Sequence, residues 1–460
     1  MSPLEQSQPL SRRRFLGLSA GAAAVIGTGL TKTGTGQRFA PSTNLIRPRS
    51  GKATLNVPIP SAPFTPALLQ VIDSYQRATG NTVKTSAYPL AALYTQEIDN
   101  FFHGGNAFDV VVVNSNWSGQ YYHNGWLVPI LDVDSNFRWP RGLIEYGGVC
   151  RWDHVHKVTS LTGTPMTLPL VGNIQLLYYR SDLYKKLGLK LPETWSEVYD
   201  NAQRAQKAGL ARYGVGVQGQ PSIGGYANTY AFGAVLASYG GTWFVDSAKG
   251  NYEPAINDER GRAAMTEWVR LSKLGPPQPQ TLGQPELASL MQSGELLQVP
   301  LNDASHALMD KPSQSTVVDK VDYAVMPAGS GSGARRATLA GIWNLGIPTG
   351  ISKSRQRAAL DFMSWMTKDS TQVAFTKAGG IPTSQAVYNS GLAKQTPYRF
   401  MRAVAKSMPY VENDITYPFE PQMAAVTEPL IGEILAGTVS VRKGLDEIAR
   451  GFNKIQKTKL

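Results

Sequence analysis

The sequence predicts an α/β fold, and three observations carry that expectation. Short apolar runs of strand length recur along the chain. Segments with helical spacing, bounded by caps and glycine stops, separate them. This alternation continues for some 400 residues, with no repeat of 20–50 residues.

Taken in order, Leu55-Asn56-Val57-Pro58-Ile59 reads as a first strand. Thr65 offers an N-cap and Pro66 suits the first helical position. Leu68, Ile72 and Tyr75 form a stripe that stops at Gly80. Thr82–Ser86 reads as a second strand. Phe108–Val113 is a continuous apolar run, as expected of a parallel strand covered on both faces, and Ile174–Tyr179 is another. Thr194-Trp195-Ser196-Glu197 is a capping box. It opens a helix that carries Trp195, Val198, Ala202 and Ala205 on one side and stops at Gly209. Further helices are expected at Arg260–Leu274 and Gln356–Thr367, and strands at Asp322–Met326 and Trp343–Ile347. Pro276–Pro279 and Gly329–Gly333 read as surface loops.

The 460 residues suffice for two or three domains. Hydrophobic residues at 42% and charged residues at 17% exclude a disordered, collagenous or multispanning chain. The single Cys150 excludes an intramolecular disulfide, a thiolate zinc site and an iron–sulfur cluster. The net charge of +12 is uneven: residues 1–52 hold eight of the 45 basic side chains and one of the 33 acids. Only +5 remains on the rest, without basic runs interleaved with aromatics, so no nucleic-acid partner is expected.

Ser11-Arg12-Arg13-Arg14-Phe15-Leu16 has the twin-arginine export pattern, and Arg12 and Arg13 are its paired arginines. An uncharged, Gly- and Ala-rich stretch over residues 15–31 follows. A transmembrane anchor fits less well, because that stretch is short and weakly apolar. No Cys follows it, so a lipoprotein is not expected. Residues 1–52 are expected to be the export signal and a disordered lead-in, and the mature chain a soluble periplasmic protein.

Catalytic motifs are absent at the spacing chemistry requires. Gly214-Val215-Gly216-Val217-Gln218-Gly219 matches the dinucleotide pattern, but Gln220-Pro221-Ser222 cannot open a helix after it, so a strand end and loop is the better reading. Residues 53–460 hold no phosphate loop, His-Glu-x-x-His or Gly-x-Ser-x-Gly. His154 and His156 would share a strand face, with Asp153 on the other, which is too few ligands for zinc. His103 and His123 read as loop residues. No metal and no cofactor are expected.

Pro169-Leu170-Val171-Gly172-Asn173-Ile174-Gln175-Leu176-Leu177-Tyr178-Tyr179-Arg180-Ser181-Asp182-Leu183, then Gly188-Leu189 and Pro192-Glu193-Thr194-Trp195, resembles the family 1 extracellular solute-binding proteins of bacterial ABC importers, the maltose-binding-protein-like group. Collinear matches follow at Asp109–Val113, Gly125–Ile130, Tyr239–Trp243, Leu290–Glu295, Ala358–Thr367 and Gly379–Thr383, so the resemblance covers roughly 53–460. It implies a two-lobed periplasmic-binding-protein fold with discontinuous lobes and a hinge. Lobe one is expected at 53–170 plus 328–380, and lobe two at 174–326 plus 383–460. Gly172 is expected to supply the hinge's backbone freedom.

The resemblance further implies capture of a carbohydrate or polyol between closing lobes and delivery to an ABC permease in the membrane. The protein would be a monomer and not an enzyme. A secreted carbohydrate-active enzyme of α/β fold is the alternative, and a binding protein serving a receptor a weaker third reading. By position, the ligand residues implied are Asn116, Trp117, Asn173, Tyr226, Asn228, Tyr230, Asn302, Asp303, Trp343 and Asn344. Aromatic faces and neutral amides suit sugar C–H surfaces and hydroxyls. Core packing is the rival reading for Trp117 and Trp343, and a turn or cap for Asn116, Asn173 and Asn228. The near-neutral set favours a neutral sugar or polyol over a phosphorylated one.

Overall fold

The computed structural model describes residues 52–222, 226–412 and 417–458. The export segment with Arg12 and Arg13 lies outside the described residues.

The framework strands are β1 (Thr54–Pro60), β2 (Thr82–Tyr88), β3 (Val111–Asn114), β4 (Thr167–Val171), β5 (Gln175–Arg180), β6 (Tyr213–Val215), β7 (Leu296–Asn302), β8 (Val321–Ala324) and β9 (Trp343–Gly346). The helices that matter to the site are α1 (Thr65–Thr79), α2 (Leu90–Phe102), α3 (Ser115–His123), α4 (Trp195–Lys207), α5 (Asn228–Ser238), α6 (Glu259–Ser272), α7 (Lys353–Met366), α8 (Glu420–Ala436) and α9 (Val441–Lys457).

β1 and β2 pair in parallel and are joined by α1, which buries Leu68, Val71, Ile72 and Tyr75 and ends at Gly80 in the left-handed region. Thr65 is not its cap. The Thr65 hydroxyl accepts from the Ala62 amide at 2.8 Å and donates to the Pro60 carbonyl at 2.6 Å, tying the strand end to the helix start. In α4 the expected capping box is present, with Thr194 accepting from the Glu197 amide.

The two apolar runs are buried on both faces but are not parallel strands. β3 pairs antiparallel with β9, which pairs antiparallel with β4. β5 pairs antiparallel with β7 and β8, and β6 joins β7 in parallel. Two-sided burial makes a strand apolar whichever way its neighbour runs, so the run alone did not carry direction. The first run also starts late. The Asp109 carboxylate turns aside to accept from the Asn56 amide at 2.8 Å and to pair with Arg355 at 2.5 Å.

Alternation along β5 divides the core. Leu176 and Tyr178 enter a cluster with Leu55, Val57, Leu68, Val112, Leu168 and Leu345. Leu177 and Tyr179 enter a second with Trp195, Val198, Trp268, Phe232 and Ile448. Residues 172–174 connect the β3–β9–β4 sheet to the β8–β5–β7–β6 sheet. The chain returns from β8 to β9 through residues 325–342.

His154 and His156 lie in a turn after Arg151–Asp153, not on a strand, and His156 Nδ1 sits 2.8 Å from the Asp153 carboxylate. His123 ends helix α3 rather than lying in a loop. Among the described residues, no group of three or more His, Cys, Asp and Glu could hold a metal. The glycine motif at 214–219 runs from β6 into a loop, with the next helix starting at Asn228.

Candidate ligand-binding site

The site is built around the connection 172–174. Gly172 is required here for space rather than for φ, which is not left-handed. A β-carbon on it would overlap the Tyr146 hydroxyl and come within 2.6 Å of the Pro382 carbonyl. The Gly172 amide donates to Ile381 at 3.3 Å, and the Asn173 carbonyl accepts from the Gly341 amide at 2.9 Å. Residue 172 therefore touches the 381–382 segment, and residue 173 the 340–342 segment.

A neutral polar cluster lies at this junction. Asn173 is buried, and its Oδ1 has no hydrogen-bond partner. Two residues on, Gln175 donates from Nε2 to the Tyr230 carbonyl at 2.9 Å, while its buried Oε1 has no partner. The Tyr230 hydroxyl donates to Leu339 at 3.1 Å and receives a long 3.5 Å contact from Asn302 Nδ2. Gly341 fits beneath: a β-carbon there would stand 3.0 Å from the Tyr230 hydroxyl and 3.4 Å from Asn302 Nδ2. The Tyr226 ring lies 6.3 Å from that of Tyr230.

Aromatic rings form the adjoining part. Residue 342 accepts the Ser115 amide at 2.8 Å, which brings the start of α3 beside β9. Trp343 meets Trp117 edge-to-face at 5.8 Å and Phe64 at 6.2 Å. Trp117 also packs on Tyr94 at 5.3 Å and Tyr121 at 6.2 Å. Both tryptophans are buried, so much of each ring is core. Asn116 is also buried, and its amide donates to the Asn114 side chain.

Three of the expected residues are committed elsewhere. Asn228 is fully buried, and its Nδ2 donates to the Gly219 and Glu428 carbonyls at 3.0 and 2.8 Å. Asp303 is fully buried, and its Oδ1 accepts from the Ile174 amide at 3.2 Å. Asn344 alternates away from Trp343, and its Oδ1 accepts from the Cys150 thiol at 3.2 Å. The first two were reached by position relative to a family pattern, which does not register which way a side chain turns. For Asn344, strand alternation separates it from Trp343.

Gln175 and Gly341 were missed. Gln175 opens β5 while Asn173 lies in the connection before it, so strand alternation does not relate the two and gave no signal. Glu428 was missed as well. Its carboxylate accepts from the amides of Ser222, Ala227, Asn228 and Thr229 at 2.7, 2.9, 3.3 and 2.9 Å. It thus caps α5 from α8, across some 200 residues of sequence, which no local pattern reveals.

Electrostatically the cluster of Asn173, Gln175, Tyr230 and Asn302 is neutral. The nearby ionisable group is Asp303, and burial pushes its carboxyl well above the ordinary carboxylate range despite the amides that donate to it. A neutral, hydroxyl-bearing solute matches such a surface, and an ion does not.

Comparison with known proteins identifies the family. The model of the bacterial extracellular solute-binding protein family matches residues 61–373, and the chain belongs to that family. A mannitol-binding protein of Pseudomonas aeruginosa is 26% identical over 272 residues, which cover 57% of this chain and 57% of that protein's length. The solute-binding protein of an Agrobacterium radiobacter ABC transporter, solved with ribitol, is similar in fold, with a TM-score of 0.73 at 20% identity over 88% of this chain and 98% of the other. Maltose-bound MalE3 of T. maritima is similar at a TM-score of 0.74 and 20% identity, over 88% of this chain and 100% of the other. The fold is the two-lobed one of these binding proteins, with discontinuous lobes.

Proposed function

We propose that this protein is the periplasmic solute-binding component of an ABC importer. It captures a neutral polyol or small carbohydrate between two lobes and hands it to a membrane permease. The observation that carries the reading is the junction of the chain's connections, where neutral side chains converge and two buried side-chain oxygens, Asn173 Oδ1 and Gln175 Oε1, await hydrogen-bond donors. Solute hydroxyls would supply those donors.

The ligand set is Asn173, Gln175, Tyr226, Tyr230 and Asn302, with Asn116, Trp117 and Trp343 forming the apolar side. The kinship with a mannitol-binding protein and a ribitol-bound structure supports a polyol first. The lobes of this reading are 53–170 with 328–380, and 174–326 with 383–460. Closure is a population shift in which the solute binds the closed arrangement better than the open one. The protein acts as a monomer, without turnover, metal or cofactor, after export by the twin-arginine route and without a lipid anchor.

A thermal-shift screen of the chain from Lys52 onward against polyols, mono- and disaccharides and sugar phosphates tests this. At 100 times its dissociation constant a solute adds about 2.7 kcal/mol. A hit on a neutral polyol or sugar, recovered unchanged after incubation, supports the reading. A hit that is consumed favours the secreted enzyme, and binding only of sugar phosphates overturns the neutral-solute claim.

A further inference from the structure

Asp303 lies outside the ligand set, yet it is built into the junction from both sides. Its amide donates to the Ile174 carbonyl at 2.9 Å, and its Oδ1 accepts the Ile174 amide at 3.2 Å. Residue 174 is the last of the connection before β5, and residue 303 directly follows β7. The same residue 174 bridges Ala340, next to the Gly341 that donates to Asn173. One residue, through its backbone amide and its carboxylate together, therefore holds the point where two stretches of the chain meet the second sheet.

The surroundings show that this point is confined. The Tyr146 and Tyr388 hydroxyls both donate to the Pro382 carbonyl, at 3.4 and 3.0 Å, and Gly172 has no room for a methyl group. Tyr146 takes a left-handed φ of 43°, which a bulky residue adopts only where its surroundings over-determine it. Closing motion in such folds is absorbed by a few connecting residues, so an anchor at one end of them sets which backbone angles can change.

We propose that Asp303 is a positioning residue of the hinge: by clamping Ile174 on both its amide and its carbonyl, it sets the open–closed balance and hence solute affinity, without touching the solute. This rests on the two-lobe reading above. It separates affinity from selectivity, because a hinge clamp changes the population of the closed form for every solute alike.

The test attaches spin labels at Lys84→Cys and Lys207→Cys, both exposed and placed one on each expected lobe, with Cys150 buried. The label-to-label distance distribution is read without solute, and affinities for D-mannitol and ribitol are measured beside it. Asp303→Ala is expected to move or broaden the solute-free distribution and to weaken both polyols at least fivefold, leaving their ratio unchanged. Asp303→Asn keeps an acceptor for Ile174 and is expected to preserve the wild-type distribution. An unchanged distribution in Asp303→Ala, or a changed mannitol-to-ribitol ratio, overturns the proposal. Should the alanine variant not fold, Asp303→Ser is expected to shift the distribution partway, and no shift there is equally fatal. If wild-type protein binds no polyol, the functional reading fails while the distance measurement still decides the hinge.

Discussion

The hydroxyl of Tyr146 occupies the space that a β-carbon on Gly172 would need, so two residues far from any exposed surface hold the junction of the connections at backbone distance. Gly172→Ala must push on the Tyr146 ring and on the Pro382 carbonyl together. Overpacking of this kind costs about 1–3 kcal/mol. An unfolding free energy lowered by that amount in Gly172→Ala on urea titration, and only partly restored by adding Tyr146→Phe because the Pro382 carbonyl still stands at 2.6 Å, is the expected result.

Solute affinity should respond to the neutral cluster. Tyr230→Phe removes the hydroxyl bonded to Leu339, and Gln175→Ala removes a buried amide with one unmet oxygen. Each hydrogen bond of this sort contributes about 0.5–1.5 kcal/mol. Calorimetry should show polyol binding weakened about two- to tenfold by each change, with the two losses not additive because both residues share the Tyr230 backbone contact.

Two buried groups set opposite arms of the stability profile. Glu97 is buried and bonded to the Val112 amide and the Tyr121 hydroxyl, and burial raises its pKa to about 8. The fold prefers it protonated, so stability is highest below the unfolded value near 4.5 and falls as pH rises toward 8. His306, stacked on Phe400, is held near 4 by burial, so stability is full above 6.5 and falls as pH drops toward 4. The Glu97 arm is on the order of 5 kcal/mol and the His306 arm on the order of 3 kcal/mol. Chemical denaturation across pH should show Glu97→Gln flattening the alkaline slope only, and His306→Gln the acid slope only.

Removing the Glu428 carboxylate strands four amide donors in the interior. Glu428→Ala should destabilise by about 3 kcal/mol or more, since each unmet buried donor costs about 1–3 kcal/mol. Glu428→Gln keeps an acceptor and should lose less. Loss of far-ultraviolet helicity is not expected for the glutamine variant; its thermal midpoint is the measurement that ranks the two.

Arg399 pairs with Asp310 through both its terminal nitrogens, at 2.6 and 2.9 Å, and donates to Val321, while only 6% exposed. Arg399→Met leaves Asp310 uncompensated in a largely enclosed position, a change of about 3–5 kcal/mol. Arg399→Met with Asp310→Leu should recover most of it, as a double-mutant denaturation series would show.

Element existence was legible where local chemistry dominates. The capping box at Thr194, the Gly80 stop and the strand-to-loop reading at 214–219 follow from neighbours in sequence. Strand direction was not legible, because two-sided burial looks the same either way. For the site, Asn173, Tyr230 and Asn302 could be reached through a family resemblance, and the structure brings them together. Asn228, Asp303 and Asn344 were reached the same way, but their side chains turn into internal bonds. Glu428 needed the fold itself, since its four donors come from the start of α5 and the loop before it, some 200 residues away.

That carboxylate also decides what the start of α5 presents to its surroundings. A helix start carries a partial positive charge and free amides, which would attract a phosphate or carboxylate group. At α5 the protein's own Glu428 already fills that role, in the turn that precedes Tyr230. An anionic solute arriving there would meet a resident anion instead of open donors. The start of α5 is therefore neutralised from within the chain, and its amides are not open donors for an external anion.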